Sequence, residues 1–186
     1  MECLCRCLTF EIWSAFLKSD FRGIVNTLIV EEFELMKLQL IPIKKTVEEN
    51  EEFFLNPDCW HSLQMTIDFF TMFGYIPPWI GYYVTDGNQI VGSAAFKGRP
   101  IDNQVEISYG TLERFRQKGI GTRTCKLLVD LALQTDPSVK IIARTLSLKN
   151  YSTRILEKNG FERIGTMLDP EDGEVWEWIF KLPASR

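Results

Sequence analysis

The chain has a single histidine among its 186 residues, no excess of positive charge and no long uninterrupted apolar run, and each absence removes a class of function. With 21 Lys and Arg against 25 Asp and Glu, the formal charge is −4. No basic surplus exists to neutralise a phosphate backbone, so nucleic acid is not an expected partner. The longest charge-free apolar stretch, residues 69–85, is broken by Gly74, Pro77, Pro78 and Gly81. A spanning helix needs about 20 consecutive apolar residues, so no membrane segment is expected. Glu2 stands where a signal peptide has its basic start, and Glu11, Lys18 and Asp20 interrupt the apolar residues behind it, which argues against secretion. Five cysteines, an odd number, fit a reducing compartment, and a cytoplasmic protein is expected. Cys3, Cys5 and Cys7 are separated by single residues, whereas structural zinc sites leave two to four between ligands, so no metal is expected.

Residues 1–35 follow no sustained helical or strand period, and they are read as an N-terminal extension lying upstream of the natural domain. From Met36 the pattern becomes regular, and residues 36–182 form one domain followed by a short tail, residues 183–186. Leu38, Leu40 and Pro42 alternate with Lys37, Gln39 and Ile43, as in a first strand. Thr46 precedes Val47-Glu48-Glu49, an N-cap followed by an acidic first turn, which predicts a helix there; Glu48, Glu49, Glu51 and Glu52 would form its solvated face. A second helix is expected over 61–73, ended by Gly74. Residues 80–84 and 89–96 read as a hairpin about Asp86-Gly87-Asn88, and residues 105–110 as a further strand. A glycine-containing loop and an apolar helix follow, then a strand over 140–146, a short helix over 152–159, and a terminal strand pair over 161–168 and 174–182. His61 is expected to cap or pack at the start of its helix. Cys125 is expected to be a buried inert thiol, Trp176 and Trp178 to pack on one strand face, and most of the aromatics between Phe69 and Tyr83 to be core.

The chemistry concentrates at residues 106–122, where a strand runs into a loop that opens a helix. Gly119 and Gly121 allow the main chain to approach an anion, and the free amides and positive dipole end of the following helix would face it. A dinucleotide fingerprint is incomplete because Thr124 replaces the third glycine, and no Gly-Lys-Ser/Thr completes a nucleoside-triphosphate loop. Arg116-Gln117-Lys118-Gly119-Ile120-Gly121 does spell R-x-x-G-x-G. It resembles the acyl-CoA pyrophosphate loop of the GNAT N-acetyltransferase superfamily. Ser152-Thr153-Arg154-Ile155-Leu156-Glu157-Lys158-Asn159-Gly160-Phe161 likewise resembles a segment of the branch containing ribosomal-protein N-acetyltransferases. The Gly173-Glu174-Val175-Trp176-Glu177-Trp178 ending is similar to that branch's closing strand.

The resemblance implies an α/β (α+β) fold: a mixed, mostly antiparallel sheet flanked by helices, with central strands splayed to admit a pantetheine arm. It implies acetyl-CoA as acyl donor and a primary amine as acceptor, either a protein N-terminus or a small amine, in a monomer or homodimer without a metal. Residue by residue, Arg116, Gln117, Lys118, Gly119, Ile120, Gly121 and Thr122 would surround the pyrophosphate. Tyr109, Gly110 and Thr111 would pair with pantetheine through their backbone, and Asn150 would lie on the cofactor side. Glu106 would accept the amine proton and Ser152 would protonate the departing thiolate. The pattern departs from the family at Lys149, where an asparagine is usual, and at Leu156, where many relatives carry a tyrosine acid; Tyr151 is the nearby substitute. Asp58 or Glu171 would steer a cationic acceptor. The alternative is a non-catalytic acyl-CoA-binding or interaction module on the same fold.

Overall fold

The computed structural model describes residues 38–182. The extension expected over residues 1–35, the tail over 183–186 and the three clustered cysteines lie outside the described residues. Among the described residues seven strands form one sheet in the order β1-β2-β3-β4-β5-β7-β6: β1 (Gln39–Pro42), β2 (Gly81–Thr85), β3 (Ile90–Phe96), β4 (Gln104–Thr111), β5 (Lys140–Leu146), β6 (Phe161–Asp169) and β7 (Gly173–Phe180). Every pairing is antiparallel except β4 with β5. The expected mixed, mostly antiparallel sheet is thus present.

Among the described residues four helices flank the sheet: α1 (Glu51–Phe54), α2 (Trp60–Phe73), α3 (Ile120–Thr135) and α4 (Tyr151–Lys158). The inward stripe of α3 comprises Ile120, Thr124, Cys125, Leu128, Val129 and Ala132, the spacing of one helical face. That face packs on β3 and β4. A fully buried leucine such as Leu128 contributes roughly 1.5–3 kcal/mol. On α2, Leu63 and Phe70 are buried, and the Tyr83 hydroxyl donates to the Cys59 carbonyl at 2.8 Å, joining β2 to the start of that helix. Trp178 is buried on β7 and its indole N–H donates to Thr145 Oγ1 of β5 at 3.0 Å, while its ring lies 6.4 Å from that of Trp176.

Three local expectations are corrected. Thr46 does not cap a helix: residues Glu48–Asn50 form a single 3-10 turn before α1, with Val47 in the cap position. The cause is Asn50, whose buried amide donates to the carbonyls of Lys44 and Thr46 and accepts from the Lys44 N–H, holding the chain in a loop where a continuous helix was expected. The glutamates around it are exposed, as a solvated face requires. His61 is an exposed second residue of α2 and neither caps nor packs in the core. The last helix begins one residue earlier than its pattern suggested, because Asn150 caps it: the Asn150 side chain accepts from the Thr153 N–H at 3.1 Å, and Thr153 Oγ1 accepts from the Asn150 N–H at 3.1 Å.

Candidate active site

The parallel ladder between β4 and β5 is short. It runs Gln104↔Lys140, Val105↔Ile141 and Glu106↔Ile142, then stops, although β4 continues to Thr111 and β5 to Leu146. Beyond Glu106, β4 pairs only with β3, and β5 only with β7. The strands therefore part at Glu106, leaving the inner edge of residues 107–111 free to pair with an extended ligand chain. A cleft of about 330 Å³ opens there, lined by residues of β4 and β5, by Asn150 and Ser152 at the start of α4, and by Asp169 and Asp172.

The far end of that edge leads to the loop. Gln117 and Gly119 hold φ of +64° and +72°, in the left-handed region, and no side chain caps the first turn of α3. Uncapped amides at a helix N-terminus are suited to an anion, and Arg116 and Lys118 are exposed beside them. Ile120 is different: it is 1% exposed and belongs to the core, so it would contribute only its backbone. Gly121 is buried, and a Cβ there would come 2.8 Å from Ile155 Cδ1 and 3.4 Å from Thr111 Oγ1. Its lack of a side chain serves the packing of α3 on α4 as well as any close approach to phosphate. Asn159 reinforces the same contact, its amide donating to the Thr122 carbonyl at 3.1 Å.

Tyr109 and Cys125 lie together beneath the sheet. Burial, with the neighbouring cysteine, pushes the Tyr109 phenol far above its ordinary range, and burial raises the Cys125 thiol to about 12. Both are therefore neutral, and Tyr109 offers the cleft its backbone edge. Cys125 is the inert buried thiol its sequence position suggested.

Glu106 is the charged centre of the cleft. Its side chain is 11% exposed, Lys97 Nζ lies 2.8 Å from Oε1, and Arg144 Nη1 lies 3.2 Å from Oε2. Arg144 extends this network to Asp169 at 3.6 Å and Glu177 at 3.9 Å. The backbone N–H groups of Glu171 and Asp172 hold the Asp169 carboxyl below its ordinary range, helped by the charges of Lys97 and Arg144. Lys97, Arg144 and Asp169 escaped the sequence reading. One signal was present: Arg144 follows the apolar Ile141-Ile142-Ala143 inside the strand Lys140–Leu146, and a charge inside a central strand needs a partner.

Ser152 lines the same cleft as Glu106. Tyr151 is 69% exposed and does not line it. Asp58 is engaged by Arg114, which donates Nη1 to Oδ1 at 2.9 Å, so it is a loop anchor. Glu171 is exposed, next to Asp172 of the cleft.

The parted β4 and β5 lead to an R-x-x-G-x-G loop whose last residues open α3 without a side-chain cap, the arrangement that the acetyltransferase resemblance implied. The family model described as "Acetyltransferase (GNAT) domain" matches residues 14–162, and the chain belongs to that family. The match begins within the segment that the sequence pattern set apart. An uncharacterized N-acetyltransferase, YjdG of Bacillus subtilis (strain 168), is 31% identical over 96 residues, 51% of this chain and 54% of that protein. The match thus spans about half the length of that curated relative. Among solved structures, an IAA acetyltransferase from Bacillus cereus ATCC 14579 has a TM-score of 0.54 at 13% identity, covering 78% of this chain and 98% of its own. RimL, a ribosomal L7/L12 alpha-N-protein acetyltransferase in complex with coenzyme A, has a TM-score of 0.56 at 17% identity, covering 76% and 92%. At these identities the likeness is one of fold. No helix among the described residues is long and apolar enough to cross a membrane.

Proposed function

We propose that the protein is an acetyl-CoA-dependent N-acetyltransferase that transfers the acetyl group directly to a primary amine within a ternary complex. The observation that carries this reading is the parting of β4 and β5 at Glu106, which places a free strand edge, a carboxylate and an uncapped helix end along one path. The donor supplies an activated thioester. Backbone groups of Tyr109, Gly110 and Thr111 would pair with the pantetheine arm, and the amides of Gly119, Gly121 and Thr122 would face the pyrophosphate, with Arg116, Gln117 and Lys118 around it.

Acetyl transfer requires a neutral amine and a protonated leaving thiol. Glu106, at the point where the strands part, takes the amine proton through water. Its cationic partners keep the carboxylate in place, and exchange of Lys97 for an incoming ammonium conserves the charge balance. Ser152 supplies the thiolate proton, since it lines the cleft and Tyr151 does not. Asn150 is held by its own cap and orients the start of α4 beside the cofactor path. A protein N-terminus or a small amine fits this chemistry equally.

Release of free thiol from acetyl-CoA across a panel of small amines and N-terminal peptides tests the reading, together with calorimetric titration of CoA. Turnover with one acceptor class supports transfer and names the acceptor. CoA binding without thiol release for any amine would favour the non-catalytic module.

A further inference from the structure

Lys97 places a primary amine of this chain where the acceptor amine of the proposed reaction must come. Its Nζ lies 2.8 Å from Glu106 Oε1, and Lys97 is the one lysine lining the cleft among the described residues. The other cation on Glu106 is Arg144, a delocalised guanidinium and not an amine nucleophile. The Lys97 side chain is 48% exposed and carries a flexible four-carbon stem, so Nζ can turn within the cleft without unpacking the core. We propose that Lys97 is an internal acceptor, acetylated on Nζ by acetyl-CoA bound in its own cleft when no external amine fills the seat beside Glu106. This rests on the acetyl-transfer reading above.

The step balances with acetyl-CoA as the only co-reactant. The Lys97 ammonium gives one proton to the Glu106 carboxylate, which passes it to water. The neutral Nζ then attacks the thioester carbonyl; a C–N bond forms and the C–S bond breaks. As the tetrahedral adduct collapses the second Nζ proton is lost and, by way of Ser152, one proton is delivered to the departing thiolate, which leaves as the thiol. Tethering makes the reaction unimolecular in the loaded protein, and well-aligned tethered groups reach effective molarities of about 10⁵ M and above. The product is a neutral amide, which abolishes the ion pair and leaves Glu106 with Arg144 alone.

The test is intact-mass and peptide-mapping mass spectrometry of the full chain incubated with acetyl-CoA and no added amine. The expected result is one acetyl group per chain, mapped to Lys97, with a rate that saturates in acetyl-CoA and is independent of protein concentration. An external amine that turns over should suppress it. Lys97→Arg, which keeps the charge beside Glu106, should remove the label, and Glu106→Gln should slow it while leaving Lys97 present. Acetyl groups spread over exposed lysines such as Lys126 and Lys158, rising without saturation, would mean chemical acetylation and overturn the proposal. An unmodified Lys97 in a protein that acetylates an external amine would overturn it while leaving the proposed activity intact. Failure of both reactions would remove the two together.

Discussion

Gly92 offers the sharpest test of how closely the chain must approach itself at the cleft. It pairs with Thr111 across β3 and β4, and the next pair joins Ser93 to Gly110. A Cβ on Gly92 would stand 2.2 Å from the Gly110 carbonyl oxygen and 3.3 Å from Thr111 Cα. Ordinary contact begins near 3.4 Å, so the carbonyl would have to withdraw by roughly 1 Å. It is backbone and cannot swing aside as a side-chain tip can. Gly92→Ala should therefore push β3 and β4 apart at the stretch whose other edge is assigned to pantetheine. Overpacking of this kind costs about 1–3 kcal/mol, which for a domain of this size lowers the melting temperature by about 2–12 °C. Weakening one or two backbone hydrogen bonds to the ligand should lower CoA affinity about 3- to 10-fold. Gly165→Ala on β6 is the control, because a Cβ there meets nothing within 4 Å. Differential scanning calorimetry and CoA titration of the two variants decide the matter. If Gly92→Ala melts and binds as Gly165→Ala does, the close approach is not required and the steric argument fails.

Gly121→Ala should destabilise the domain less, by about 1 kcal/mol, since the atom it meets, Ile155 Cδ1, ends a flexible side chain. Adding Ile155→Val removes that methyl and should restore the melting temperature; no restoration would mean the glycine is needed for another reason. Glu106→Gln should lower turnover about 100- to 10,000-fold with CoA affinity retained, and raising the pH toward the acceptor's own pKa should recover part of the loss. Equal rates at neutral pH and subsaturating amine would remove Glu106 from proton transfer. Hydrogen bonding from Arg114 holds the Asp58 carboxyl below its ordinary 3.8, opposed by burial and helped by the charge of Arg114. The stability this pair adds is complete above that value and lost as pH falls through the depressed folded one. Melting curves of wild type and Asp58→Asn should accordingly differ at neutral pH and converge in acid, and parallel curves over the whole range would contradict the pairing.

Period and punctuation made most elements legible. The strand expected over residues 140–146 coincides with β5, the hairpin about Asp86-Gly87-Asn88 is present, and Gly74 ends α2 as expected. These features depend on neighbours a few residues away, so the chain itself carries them. Thr46 misled because the buried Asn50 amide bonds back to the main chain of Lys44 and Thr46, a contact over four to six residues that a helix-capping rule does not register. Lys149 stands where an asparagine is usual in the family, and the fold uses the next residue, Asn150, as the cap of α4, because the helix starts where its side chain can reach the Thr153 N–H.

By itself the sequence determined most of the strands and helices, the R-x-x-G-x-G loop and, together with residues 152–161, the family resemblance, since each is written in short spacings along the chain. The tertiary structure alone decided what surrounds Glu106. Lys97, Arg144 and Asp169 come from the residue after β3, from β5 and from β6, and they meet only because the sheet runs β3-β4-β5-β7-β6 in this register. A shift of one residue in any of those ladders would turn the charged side chain to the opposite face. The register is set by burial of Val105, Ile107, Ile141 and Ala143 on the strands between them, a non-local packing condition that no spacing along the chain records.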